Sequence, residues 1–162
     1  MNDPVRFSSP EYLTILDARP SDQTCFIHAQ HQAFMSQEAQ EGYPLEVCGL
    51  LIGRYDKQGW HIEDVRAVPN LNQERAADRF ELDPRTYQKI DRSLRGTGQE
   101  IIGVYHSHPD CPAKPSPTDL SSAWPCWAYI IVRVQDGQAV DIQCWEVKED
   151  SQKFCHVPIM EL

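Results

Sequence analysis

EIIGVYHSHPDCPAKPSPTDL, residues 100–120, gives the chain three conformational instructions in succession. Its first nine residues are rich in β-branched and aromatic side chains and read as a strand over 100–108. Pro109, Pro112, Pro115 and Pro117 then fall within nine positions. Each fixes φ near −65° and removes a backbone donor, so the loop they fill is expected to exclude both helix and central strand. Ser116-Pro117-Thr118-Asp119 reads as a helix start, with Ser at the N-cap, Pro at N1 and Asp at N3. Strand, stiff loop and short helix form one unit.

That unit brings chemistry-bearing side chains together. Residues two apart on a strand share a face roughly 6.6 Å apart, so His106 and His108 project side by side at the strand end. Two imidazoles so placed can converge on one Zn²⁺, and Asp119, facing back from the first helical turn, is the nearest third ligand. Two His and one Asp leave the fourth tetrahedral corner to water, as catalytic zinc sites do. Zinc lowers the pKa of that water to about 7. Hydrolysis also needs a group to move protons, and Glu46 stands out: a carboxylate at the mouth of the apolar run EVCGLLIG (46–53) is hard to justify as structure alone. The Ser116 hydroxyl can face a developing oxyanion.

Outward from this unit, YLTIL (12–16) reads as a first strand and 22–40, opening at Ser21-Asp22, as a helix. EVCGLLIGRY (46–55) and WHIEDVRAV (60–68) read as strands joined by a DKQG turn. A polar connection over 71–83 leads to a helix from Pro84, with Tyr87, Ile90 and Leu94 on one face and Gly96 near its stop. YIIVRV (129–134), a DG turn and AVDIQCWEV (139–147) form a hairpin. The fold class is α/β (α+β), a mixed sheet with helices on its faces, in a single domain over 1–162.

Composition narrows the function. Lys and Arg total 15 against 24 Asp and Glu, a net charge of 15 − 24 = −9. Broad contact with nucleic acid or an anionic membrane surface needs clustered cations, so neither is expected as a partner. No apolar run approaches the roughly 20 residues of a membrane span. The first residues lack a signal-peptide pattern, which gives a cytoplasmic expectation. The six cysteines then read as buried thiols, Cys48 among them as filler. Cys111 is an alternative fourth ligand that would close the site. His28, His31, His61 and His156 read as ordinary histidines. Trp124, Trp127 and Trp145 read as core or pocket wall. A zinc nucleobase deaminase is excluded: it needs His-x-Glu and Pro-Cys-x-x-Cys, and here His108 and Tyr129 occupy the deciding positions.

Glu46, His106-x-His108-Pro109 and Ser116-x-x-Asp119, with seven residues between His108 and Ser116, together resemble the signature of the JAMM (MPN+) metallopeptidases. The resemblance implies a mainly antiparallel, curved sheet of cytidine deaminase-like architecture. It also implies one Zn²⁺ per chain on His106, His108 and Asp119, Glu46 as general base and acid, and Ser116 as stabiliser of the intermediate. Such enzymes hydrolyse peptide or isopeptide bonds after the C-terminal glycine of ubiquitin-like proteins. The short loops resemble compact bacterial members, whose substrates are ubiquitin-like sulfur-carrier proteins (ThiS/MoaD-like) that lose cysteine or a short extension. Alternatives are a metal-free MPN module docking a partner through its sheet edge or the 69–83 loop, and a RadC-like DNA-associated protein. An exposed strand edge is also able to pair into a homodimer.

Overall fold

The structure, a computed structural model, describes residues 7–162. The elements run α1 (Pro10–Leu13), β1 (Thr24–Ile27), α2 (Ala29–Gly42), β2 (Cys48–Asp56), β3 (Gly59–Val68), α3 (Pro84–Leu94), β4 (Glu100–Pro109), α4 (Pro117–Ser121), β5 (Ala128–Gln135), β6 (Gln138–Val147), β7 (Phe154–Val157) and β8 (Ile159–Glu161). The strands form one eight-stranded sheet in the order β7-β6-β5-β4-β2-β3-β1-β8. Pairs β2–β3, β2–β4, β5–β6 and β6–β7 are antiparallel. Pairs β4–β5, β1–β3 and β1–β8 are parallel. The mixed, mainly antiparallel sheet and its helices match the expected fold class. Register shifts in β2 near Leu51–Gly53 and in β5 at Arg133/Val134 add the local bend that bulges bring.

Strand alternation sorts side chains onto two buried faces. Leu51, Ile102, Ile130 and Val132 pack with Met35 and Ala39 of α2. Leu50, Ile52, Val104 and Ile131 pack on the other face with Ile90 and Leu94 of α3. A sheet covered on both faces explains why its central strands are almost continuously apolar. At Gly103 an added Cβ would lie 2.1 Å from the Ala128 carbonyl oxygen, so only glycine lets β4 and β5 approach there.

Two expectations near the N-terminus are corrected. YLTIL is not a strand: the Ser9 hydroxyl accepts from Tyr12 N and Pro10 sits at N1, which starts the short helix α1 instead. Only Leu16 joins the sheet, through a single bridge to Phe154. The expected helix over 22–40 is a strand followed by a helix, because buried Cys25 and Ile27 alternate into the core before α2 begins at Ala29. Pro109 also departs from expectation. It is the last residue of β4 and pairs with Val134, tolerated because the ladder ends there. Strands β7 and β8 have no counterpart in the sequence reading. No helix among the described residues is long and apolar enough to cross a membrane.

Candidate active site

β4 carries both histidines to the C-terminal end of a strand lying mid-sheet. His106 pairs with Cys48 of β2 and Ile131 of β5, and His108 with Arg133 of β5. The two residues are 1% and 3% exposed. Their Nε2 atoms face each other at 3.1 Å. His108 Nδ1 lies 2.8 Å from the Pro112 carbonyl oxygen, which can only accept, so Nδ1 carries the proton and Nε2 presents a lone pair. His106 is oriented differently. Its Nδ1 finds no partner among the described residues, and its ring stacks on Phe80 at 4.5 Å between centroids.

α4 delivers the carboxylate. Ser116 and Asp119 form a reciprocal capping box: Ser116 N donates to Asp119 Oδ2 at 2.7 Å, and Asp119 N donates to Ser116 Oγ at 3.1 Å. Glu or Gln is the usual N3 residue of such a box, and here the shorter Asp119 side chain closes it. The same Oδ2 lies 3.3 Å from His106 Nε2 and 3.6 Å from His108 Nε2. Glu46 is 5% exposed, with Oε1 3.8 Å from His108 Nε2. The structure thus brings Glu46, His106, His108, Ser116 and Asp119 to one place. Ligand atoms of Glu46, His106 and His108 alone lie within 4.8 Å of one another, close enough to hold a metal ion.

Burial lowers the His106 pKa, which keeps that imidazole neutral, as a ligand must be. Burial alone would raise the Asp119 carboxyl, but the adjoining imidazoles outweigh it and hold the group well below the usual carboxylate range. Burial and the nearby Glu46 carboxylate push the Cys48 thiol up to about 12, so it stays protonated, in keeping with filler. Cys111 packs with Phe7 and Tyr12 and is not part of the donor cluster. No disulfide links the cysteines. His61 faces Asp56, His156 faces Gln143, and His28 contacts His31, all outside the cluster.

Several supporting groups escape a reading of sequence. Three loop carbonyls are each met by a distant or unexpected donor: Pro112 by His108, Ala113 by Trp145 Nε1 at 3.0 Å, and Pro115 by the Tyr12 hydroxyl at 2.6 Å. Ser107, between the histidines, accepts from Val47 N at 2.9 Å and donates its own N–H to Val47 O, which ties the residue after Glu46 to β4. Asn70 Nδ2 donates to the carbonyls of both Glu46 and Arg79 at 3.0 Å. A polar residue inside a polar connection gives no signal for this. Beside His106 and Asp119 opens a cavity of about 840 Å³ walled by Phe80, Leu82, Tyr87, Trp124 and Trp127. Trp124 is 67% exposed at its rim, whereas Trp145 is core.

Residues 28–148 match the family described as prokaryotic homologs of the JAB domain. A desampylase of Haloferax volcanii is 38% identical over 90 residues, 54% of this chain and 62% of that protein, so the likeness spans less than two thirds of the relative. A CysO-cysteine peptidase of Mycobacterium tuberculosis is 27% identical over 114 residues, 70% of this chain and 75% of that one. The solution structure of a Desulfitobacterium hafniense protein superimposes with a TM-score of 0.74 at 28% identity, covering 86% of this chain and 93% of the other. The family match takes in α2 through β6, and with them the strand, loop and helix that carry the site. This chain therefore belongs to the prokaryotic homologs of the JAB domain, the JAMM/MPN-type family its signature resembles.

Proposed function

We propose that the protein is a zinc-dependent peptidase that cuts after the C-terminal Gly-Gly of a small ubiquitin-like sulfur-carrier protein and acts in the cytoplasm. The observation that carries this is the donor triangle. His106 Nε2, His108 Nε2 and Asp119 Oδ2 are separated by 3.1, 3.3 and 3.6 Å. A tetrahedral zinc with bonds of about 2.0–2.1 Å has ligand atoms about 3.3–3.4 Å apart. The residues fit one ion. Zinc bound there supplies Lewis acidity and makes water acidic near neutral pH. Glu46 Oε1 lies beside this triangle, 3.8 Å from His108 Nε2, within reach of a water at the ion.

The chain's own residues then divide the work. Glu46 Oε1 takes a proton from the attacking water as the water oxygen bonds to the glycyl carbonyl carbon. It passes that proton to the departing nitrogen as the C–N bond breaks, leaving a glycyl carboxylate and a free amine. The Ser116 hydroxyl, whose oxygen accepts from Asp119 N, still has its proton to donate to the carbonyl oxygen as charge develops there. Because the histidines and Glu46 are almost wholly buried, a scissile residue without a side chain approaches them best. Glycine meets that need. Relatives with the same domain include a desampylase and a CysO-cysteine peptidase, which supports a small protein modifier or carrier as substrate.

The test uses a carrier protein ending in Gly-Gly followed by a short tail, analysed by mass spectrometry alongside metal content. The wild type is expected to bind one zinc per chain and remove the tail. Glu46→Gln is expected to keep the zinc and lose about 10²–10⁴-fold in rate. Undiminished tail loss in that variant, or a chain that takes up no zinc, would overturn the proposal.

A further inference from the structure

Resting on the peptidase reading, we infer that the group released is a short C-terminal extension with a bulky apolar residue and a free α-carboxylate, which Arg79 binds. The cavity beside His106 and Asp119 measures about 840 Å³, within the roughly 300–1,000 Å³ of sites that enclose drug-sized molecules. A departing cysteine alone would leave most of it filled with water against aromatic walls, which is unfavourable. A larger apolar side chain would displace that water.

Arg79 supplies the polar end. It lines this cavity and is half-buried, yet among the described residues it has no ion pair. Among the other described arginines, Arg19, Arg54, Arg66 and Arg75 pair with acidic side chains, and Arg85, Arg92 and Arg95 are exposed to water. Arg133 is also half-buried without an ion pair, but it donates to Gln135 and does not line this cavity. Asp78, the neighbouring carboxylate on the wall, is already paired with Arg75. A half-buried arginine on the wall of a mainly apolar cavity lacks a planar anionic acceptor, and a terminal carboxylate matches the paired donors of its guanidinium.

The backbone fixes this cation relative to the chemistry. Arg79 N donates to Arg75 O at 2.8 Å, and the Asn70 amide grips the carbonyls of Arg79 and Glu46 together. A carboxylate held by Arg79 therefore sets where the tail's nitrogen lies relative to Glu46. Internal conjugates, which carry no α-carboxylate near the scissile bond, would forgo this contact. The protein is thus a trimming enzyme, selecting extensions with a free end over isopeptide-linked proteins.

Two measurements decide it. By calorimetry on the zinc-loaded chain, alanyl-leucine is expected to bind about 10- to 100-fold more tightly than its C-terminal amide. It should also bind several-fold more tightly than alanyl-alanine. Arg79→Ala should erase the preference for acid over amide, and Arg79→Lys should restore part of it. In parallel, carriers ending Gly-Gly-Ala-Leu as acid and as amide should differ in kcat/KM by a similar factor, mostly in KM. Equal binding of acid and amide, or a preference that survives Arg79→Ala, would overturn the inference even if tails are still cleaved. Binding that discriminates without any cleavage would instead count against the peptidase reading on which it rests.

Discussion

Asp119 shows how much one carboxylate is asked to do. Its Oδ2 receives the Ser116 N–H and faces two imidazole nitrogens, so the bond that starts α4 also aims the oxygen at the histidines. Capping and the proposed zinc ligation share an atom. Ser116→Ala keeps that backbone N–H but removes the Oγ that holds Asp119 N, so it should do more than remove a cap, whose loss is worth about 1 kcal/mol. It should also weaken zinc binding or activity by about 10–100-fold, as changes to groups that orient ligands do. Zinc titration beside thermal unfolding separates the two effects, and a stability loss with unchanged zinc affinity would reduce Ser116 to a cap. At this scale much was legible: the spacing of two brought His106 and His108 together, and a charge opening an apolar run marked Glu46. Ser107 and Asn70 were not legible, because their value lies in partners 60 and 24 or 9 residues away.

Among the elements, the loop between β4 and α4 has prolines that limit its conformers and carbonyls that anchor it. Side chains from three different places reach those carbonyls, one of them Tyr12 from α1. Tyr12→Phe keeps the ring packed against Phe7 but leaves the Pro115 carbonyl buried without that donor. A loss of about 1–3 kcal/mol is expected in denaturant unfolding, with a fall in activity because Ser116 is the next residue. Unaltered activity would mean the prolines suffice alone. The strand expected at 12–16 shows why this anchor was missed. Tyr, Thr and Ile favour strands by propensity, but a cap and a first-turn proline just upstream decided the outcome. Likewise, the run over 22–40 lacks breakers, and only the alternate burial of Cys25 and Ile27 shows that its first part is β1.

For the molecule as a whole, the segment shared with the family spans 28–148, while α1, β1, β7 and β8 lie outside it and complete both sheet margins and the brace on the loop. A contact of the same long range joins the end of α2 to the β4 loop: Tyr43 Oη donates to Asp110 Oδ2 at 2.6 Å. That bond, with the Asp136 N–H, lowers the Asp110 pKa. A carboxyl lower in the folded than in the unfolded state stabilises the fold above the unfolded value of about 3.9. The stabilisation fades as pH falls through the folded value. Tyr43→Phe should therefore have a lower Tm than wild type at pH 7, with the two converging in strong acid. A gap that stays constant with pH would assign the effect to packing instead. The sheet's mixed order was readable only in part, since neighbouring hairpins announce themselves while the parallel pairs β4–β5 and β1–β8 depend on partners set by the folded chain.

β4 lies between β2 and β5, with two further strands on one side of that trio and three on the other. Amide hydrogens in such a strand exchange with solvent only when the most protected part of a protein opens. The histidines thus sit on the segment expected to come apart last, and fraying at the sheet margins should leave their spacing unchanged.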